Sequence, residues 1–221
     1  ASGRVSGAQG GLPEVPVIMI NPYTDDLGDI HDRVRAFSVA DRLAEEDGTW
    51  PETLSLWSIG PSSDGDGAGA LTGAVDSYAT EAVFALDEWL TAAGEHQDAE
   101  GGDWVDALAA SKPDSAESRC LLEGTDPIVG PDANEDPDCM EALPIHEEPR
   151  MVAGAPRAGD VIKCALVPVD ETTDLYEVEL TDDDLDRLEA IFPDGVCDYT
   201  QPGVGQVAVQ DTWQALDMAD A

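Results

Sequence analysis

Short apolar runs and amphipathic stretches alternate along the first half of the chain. Residues 15–20 and Leu54–Ile59 are continuous apolar runs bounded by turn residues. Such runs are typical of strands buried on both faces of a parallel sheet. Between them, apolar residues recur at helical spacing over 33–46, and Gly48 ends this pattern. The order strand, helix, strand predicts a right-handed crossover between parallel neighbours.

The pattern beyond residue 60 is less regular. The spacing predicts a long helix over 71–93 and a short one over Trp104–Ala110, followed by a Pro- and Asp-rich region to about residue 149 that we expect to be mostly loop. A strand is predicted at 160–169 and a helix at 181–192, with Thr181 as its N-cap. We therefore expect an α/β domain over residues 1–112 and a loop-rich, cysteine-containing tail over 113–221 that packs on it.

The composition is strongly acidic, and this indicates the salt concentration in which the protein works. The formal net charge is -38, from 48 Asp and Glu against 10 Lys and Arg, and the acids are spread along the whole chain. Molar salt shortens the Debye length to about 3 Å and removes most of the resulting repulsion. A hydrophobic content of 42% argues against an acidic disordered protein. We expect a folded protein adapted to high salt.

Four cysteines all lie in the second half, and none belongs to a CxxC pair. An even count in a loop-rich region favours two disulfides formed in an oxidising compartment, so we expect a secreted protein whose signal peptide lies upstream. Three pairings are possible, and we favour the neighbours in sequence, Cys120 with Cys139 and Cys164 with Cys197.

The same composition argues against several partners. There is no basic stripe to neutralise phosphates, and no stretch approaches the ~20 apolar residues needed to span a bilayer. We expect no nucleic-acid or membrane partner, and we predict no cofactor and no metal site. The spacing Asp132, Asn134, Asp136 begins like a calcium loop, but Pro137 replaces the required glycine and Leu143 the bidentate glutamate.

The loop after the first predicted strand carries the densest set of reactive side chains: Asp25, Asp26, Asp29, His31 and Asp32. Chemistry in α/β folds is placed at strand ends. A carboxylate beside a histidine can fix one imidazole tautomer and stabilise the charged ring. We predict His31 as a catalytic histidine, with Asp25 or Asp29 as its acid. The structural alternative is that Asp29 and Asp32 cap the following helix while His31 lies on the surface.

Other positions are weaker candidates. His96 and His146 lack a strand-end setting and are interpreted as surface residues. The nucleophile pattern G-x-S-x-G does not occur, and Ser58 lies inside an apolar strand, where a structural role is expected. Trp57 and Trp89 are predicted core residues. Because α/β hydrolases order their triad as Ser, acid, His, a C-terminal portion would lack its serine by position.

Several runs together resemble a known family: GRVSGAQGGLPEVPVI, YTDDLGDIHDRVRAF, PRMVAGAPRAGDVIKCALVPVD and LEAIFPDGVCDYTQPGVGQ. They resemble the C-terminal third or so of large, exported, largely uncharacterised α/β-hydrolase-like proteins related to tannases and polyhydroxybutyrate depolymerases. The resemblance spans nearly the whole chain. It implies the C-terminal portion of an α/β-hydrolase-type parallel sheet with helices, followed by a loop-rich, disulfide-held tail. By position, it also makes His31 the catalytic histidine and Asp25 or Asp29 the acid.

These inferences combine into one hypothesis and two rivals. The chain is expected to be the C-terminal part of a secreted, salt-adapted carboxylic-ester hydrolase. Its partners would be the upstream N-terminal part of the same protein, which supplies the serine, and an ester substrate; this portion alone should be inactive. One rival is a noncatalytic binding or structural module of a secreted halophilic protein, and the other is a calcium-stabilised scaffold.

Overall fold

The structure is a computed structural model that describes residues 14–27, 32–44, 50–61, 68–169 and 180–206, with backbone alone for 68–74. Its described residues belong to two compact units, 14–147 and 148–206. Within these ranges, no helix is long and apolar enough to cross a membrane.

The first unit is built on a four-stranded, mostly parallel sheet. The strands are β1 (Val17–Pro22), β2 (Leu54–Ile59), β3 (Arg119–Leu121) and β4 (Ile128–Val129), in the order β1-β2-β3-β4. β1 and β2 are parallel with Val17 opposite Leu54, β3 is parallel to β2, and β4 is antiparallel to β3. Helix α1 (Val34–Leu43) connects β1 to β2. The predicted strand, helix, strand order with parallel strands is confirmed.

β1 differs from its sequence pattern in position and in burial. It begins two residues later than the apolar run, and all six of its residues are only partly buried, whereas every residue of β2 is buried. The difference follows from the sheet order, because β2 has a neighbour on each side and β1 lies at the edge of the described sheet. The expectation of full burial on both faces was right for β2 and wrong for β1.

Helix α2 (Ala68–Glu100) is longer than the pattern predicts. Gly94 lies inside this helix. A single glycine lowers helix stability by only about 1 kcal/mol relative to alanine, so the helix can continue through it. The helix ends where Gly101 and Gly102 adopt positive φ angles of 70° and 101°. The acidic segment after Gly94 therefore continues the helix instead of ending it.

The main core lies between α2, α3 (Trp104–Ala110) and the sheet. Trp57 and Trp89 are fully buried, as predicted, and Trp89 Nε1 donates to Leu108 O at 2.8 Å. Trp104 packs half-buried against this core and donates to Glu14 O at 3.0 Å. Trp213 lies outside the described residues. Val83 of α2 is 64% exposed, although it is apolar.

Residues 113–147, expected to be mostly loop, contribute to the first unit. They supply β3, β4 and α4 (Pro137–Ala142), and β3 extends the parallel sheet. The boundary between the two compact units falls between residues 147 and 148. A three-residue strand has too few positions to show a period, which is why the pattern missed it.

The second unit contains α5 (Pro149–Val152), β5 (Ala165–Val167), α6 (Asp182–Ile191) and β6 (Val196–Asp198), with β5 and β6 antiparallel. The strand predicted over 160–169 is shorter than expected. Thr181 caps α6 as predicted, and Asp184 completes a capping box by binding the Thr181 backbone amide. Gly195 adopts a φ of 96° and approaches Val167 O so closely that a Cβ would clash.

Both favoured disulfides are present. Cys120 pairs with Cys139 in the first unit, and Cys164 pairs with Cys197 in the second. Each bridge holds a short strand: Cys120 lies in β3 and Cys197 in β6. Disulfides compensate where a segment buries little apolar surface.

Replacing Trp89 with alanine is expected to lower the free energy of unfolding by about 3–5 kcal/mol, because it removes a fully buried indole and leaves Leu108 O without its donor. Urea unfolding in molar salt measures this change. Val83→Ala on the same helix is the matched control and should change stability by less than about 0.5 kcal/mol. Equal losses in the two variants would contradict the described packing of α2.

Candidate functional site

The candidate site begins where β1 ends. Tyr23 N–H donates to Ile59 O at 2.8 Å and extends the β1–β2 ladder by one residue. A short 3₁₀ turn over Asp25–Leu27 then turns the chain toward the start of α1. The loop that carries the candidate acids thus follows the carboxyl end of β1, beside the carboxyl end of the parallel strand β2. This edge of the sheet is where α/β folds place their ligands.

Asp25 is fixed by the first turn of α1. Its Oδ1 accepts the Arg33 backbone N–H at 2.8 Å, so it satisfies one of the amides left unpaired at a helix start. A carboxylate there is also favoured by the helix dipole. Its second oxygen, Oδ2, is buried and has no hydrogen-bond partner among the described residues. Asp25 therefore has one anchored oxygen and a second oxygen that no described residue binds.

The other two predicted site residues, Asp29 and His31, lie outside the described residues, so their roles stay predictions. Asp32 was one of the two alternative helix caps. The N-cap residue of α1 is Arg33, and its side chain makes no capping hydrogen bond. Asp32 does not cap the helix either; its Oδ1 forms an ion pair with Arg35 Nε at 3.3 Å. The carboxylate that reaches a first-turn amide is that of Asp25.

Arg33 is fully buried, which is unusual for an arginine. Its guanidinium donates to the backbone oxygens of Asn134, at 3.0 Å, and Leu143, and lies 3.3 Å from Cys139 Sγ. Its Cζ lies 5.1 Å from the centroid of the Phe37 ring. The residue that immediately precedes α1 thus holds the segment around the Cys120–Cys139 disulfide.

Burial sets the electrostatics of this contact. It lowers the pKa of Arg33 to about 10, an effect that the negative charge of Asp25 opposes. Arg33 therefore stays charged at neutral pH, and its backbone and side chain act together: the amide holds Asp25 and the guanidinium holds the disulfide segment. Asn134, also buried, donates from Nδ2 to Leu56 O at 2.7 Å and ties the same segment to β2.

Tyr23 links the strand end to a distant part of the chain. Its ring is 3% exposed and packs against the Cys120–Cys139 bridge and Leu143. Its hydroxyl lies 3.4 Å from Asp26 Oδ1 and 3.4 Å from His146 Nε2. Burial, with Asp26 and Asp25 adding to it, raises the pKa of Tyr23 to about 12, so the phenol stays protonated in the physiological range.

Sequence reasoning missed Arg33, Tyr23 and His146 as members of this site. An arginine beside the apolar face of α1, four residues before Phe37, is a weak signal of burial. His146 is exposed, as predicted, but the long-range contact with Tyr23 could not be read from local sequence. Ser58 is buried inside β2, in agreement with a structural role.

The rejected calcium loop has a structural use. Asp136 Oδ1 accepts the Asp138 N–H at 2.9 Å and caps α4, while Asn134 is buried. Within the described ranges, no group of three or more His, Cys, Asp or Glu side chains could hold a metal ion.

Arg33→Lys is expected to lower the free energy of unfolding by about 2–3 kcal/mol, because an ammonium cannot reproduce the planar fork that reaches two backbone oxygens and one sulfur. Arg35→Lys, on the exposed side of the same helix, is the matched control and should be nearly neutral. Urea titration in molar salt compares the two. An Arg33→Lys variant as stable as its control would show that the buried contacts contribute nothing.

Comparison with known proteins adds one result. No curated protein and no solved structure matches the chain significantly. The sequence model of one family matches residues 1–208, which is most of the chain and includes both disulfides and the loop after β1. The chain therefore belongs to the tannase-like family of unknown function (DUF6351).

Proposed function

We propose that this chain is the C-terminal part of a secreted, salt-adapted carboxylic-ester hydrolase of the α/β-hydrolase fold. Asp25 is the acid of a Ser-His-Asp triad, with Asp29 as the alternative acid, and His31 is its histidine. The serine lies in the upstream part of the same protein, which completes the site. This portion alone has no activity.

The observation that carries the proposal is the state of Asp25. A triad acid must hold the imidazole in one tautomer, so it needs a fixed carboxylate with an oxygen left for the histidine N–H. Asp25 has Oδ1 fixed by the Arg33 amide and Oδ2 buried without a partner among the described residues. It also follows a parallel strand at its carboxyl end. The tannase-like character of the family supports ester chemistry for the protein.

His31 is the histidine best placed in sequence to use that oxygen. It lies between Asp25 and Arg33, the two residues joined by the amide–carboxylate hydrogen bond. The short sequence distance between these two joined residues supports assigning the role to His31.

The upstream part is the proposed partner. β1 lies at the edge of the described sheet, and Val83 and Phe84 on α2 are exposed apolar side chains. Further strands of an α/β-hydrolase sheet would cover such surface. The net charge of -38 supports a high-salt environment, and two disulfides support an oxidising, extracellular one.

Activity tests the proposal in the parent protein extended upstream. Asp25→Asn is expected to lower kcat for ester hydrolysis in molar salt by on the order of 10³-fold, because the amide would favour the wrong imidazole tautomer. His31→Ala should lose at least as much. Asp98→Asn at an exposed position of α2 and His96→Ala at a half-buried position of the same helix are the matched controls and should retain activity.

Each other outcome has a distinct meaning. A His31→Ala variant as active as the parent would remove His31 from the chemistry. A well-folded parent that hydrolyses no ester would overturn the proposal and favour a noncatalytic binding or structural module.

Salt dependence tests the proposed environment. Raising sodium chloride from low to molar concentration is expected to raise the melting temperature by roughly 10 °C, because screening removes the repulsion of the excess acids. Differential scanning calorimetry measures this shift. Calcium added at constant ionic strength should add nothing further. A melting temperature that responds to calcium and not to sodium chloride would favour the calcium-stabilised scaffold.

A further inference from the structure

A second histidine reaches the strand end from far along the chain. His146 lies three residues beyond Leu143, whose backbone oxygen accepts from buried Arg33. That contact fixes the start of the segment, and His146 Nε2 lies 3.4 Å from Tyr23 Oη. His146 is exposed, so it needs no partner for its own burial. Burial therefore does not explain its contact with the Tyr23 hydroxyl.

The protons of this contact can be assigned. Tyr23 has one hydroxyl proton, and the Asp26 carboxylate can only accept, so the phenol donates to Asp26 Oδ1. The phenol oxygen is then left as an acceptor toward His146. A neutral His146 must carry its proton on Nε2 to satisfy it, which leaves Nδ1 unprotonated. The chain of donors runs from His146 through Tyr23 to Asp26.

This series of hydrogen bonds gives two adjacent carboxylates different partners. Asp25 and Asp26 are neighbours in sequence, and the Arg33 N–H donates to only one of them, Asp25. The Tyr23 hydroxyl donates to Asp26 Oδ1 while Asp25 Oδ1 accepts the Arg33 N–H, and Asp25 Oδ2 has no partner among the described residues. Without that restraint, Asp26 could compete for the amide and shift the loop.

We propose that His146 is a positioning residue of this site, which donates from Nε2 to Tyr23 and thereby holds Asp26 away from the place of Asp25. The inference rests on the proposed function for its effect on catalysis. The hydrogen-bond chain itself does not depend on that function and can be measured without any substrate.

The first experiment uses nitrogen-15 NMR of this chain in molar salt. The His146 ring is expected to show the Nε2–H tautomer when neutral. His146→Ala should shift the Arg33 amide resonance from its position in the unsubstituted protein. His146→Gln should leave the resonance close to that position, because a glutamine amide can place a donor where Nε2 lies. His96→Ala is the matched control and should leave that resonance unchanged. A neutral His146 in the Nδ1–H form, or an Arg33 amide indifferent to His146→Ala, would overturn the inference.

The second experiment measures ester hydrolysis by the extended parent. His146→Ala is expected to lower kcat about tenfold, the loss typical of one net hydrogen bond, and His146→Gln to stay within about twofold of the parent. An active parent indifferent to His146→Ala overturns the positioning role and leaves the proposed function standing. A parent without activity overturns the proposed function, and the NMR result then decides the hydrogen-bond chain alone.

Discussion

The buried guanidinium of Arg33 is the contact on which the first unit depends. A charge without solvent is costly unless its donors are satisfied, and here two backbone oxygens and a disulfide sulfur accept from the two terminal nitrogens, while Nε has no partner among the described residues. Because those acceptors lie in the segment 134–143, the charge holds α4 and the residues on either side of it. The same residue's amide fixes Asp25. One arginine thus joins the disulfide segment to the loop after β1.

The functional proposal follows from this arrangement. Tyr23 packs on the same disulfide that Arg33 contacts, so the strand end and the acid loop share one rigid support. A catalytic carboxylate needs such support, because small displacements of a triad member cost large factors in rate. Asp136 and Asp184 also accept backbone amides, but Asp25 combines such an anchored oxygen with a second, buried oxygen that has no partner among the described residues.

Much of the fold was predictable from the periodicity of apolar residues and from the turn and capping residues that bound each element. β2, α1, α3 and the Thr181 cap came from local pattern, and the two disulfides came from pairing neighbours in sequence. β3 was missed because three residues show no period, and Gly94 was misread because a helix tolerates one glycine. At the site, Asp25 was predicted from its strand-end position. Tyr23 and His146 were not, because their contact joins residues 123 apart.

The most direct test of the central claim is labelling of the extended parent protein with a fluorophosphonate, which reacts with an activated serine whatever the ester substrate is. The account predicts one labelled serine, located upstream of this chain, with labelling lost when Asp25 is replaced by asparagine. A parent that is folded in molar salt and takes up no label, or takes it up equally after that replacement, would contradict the account.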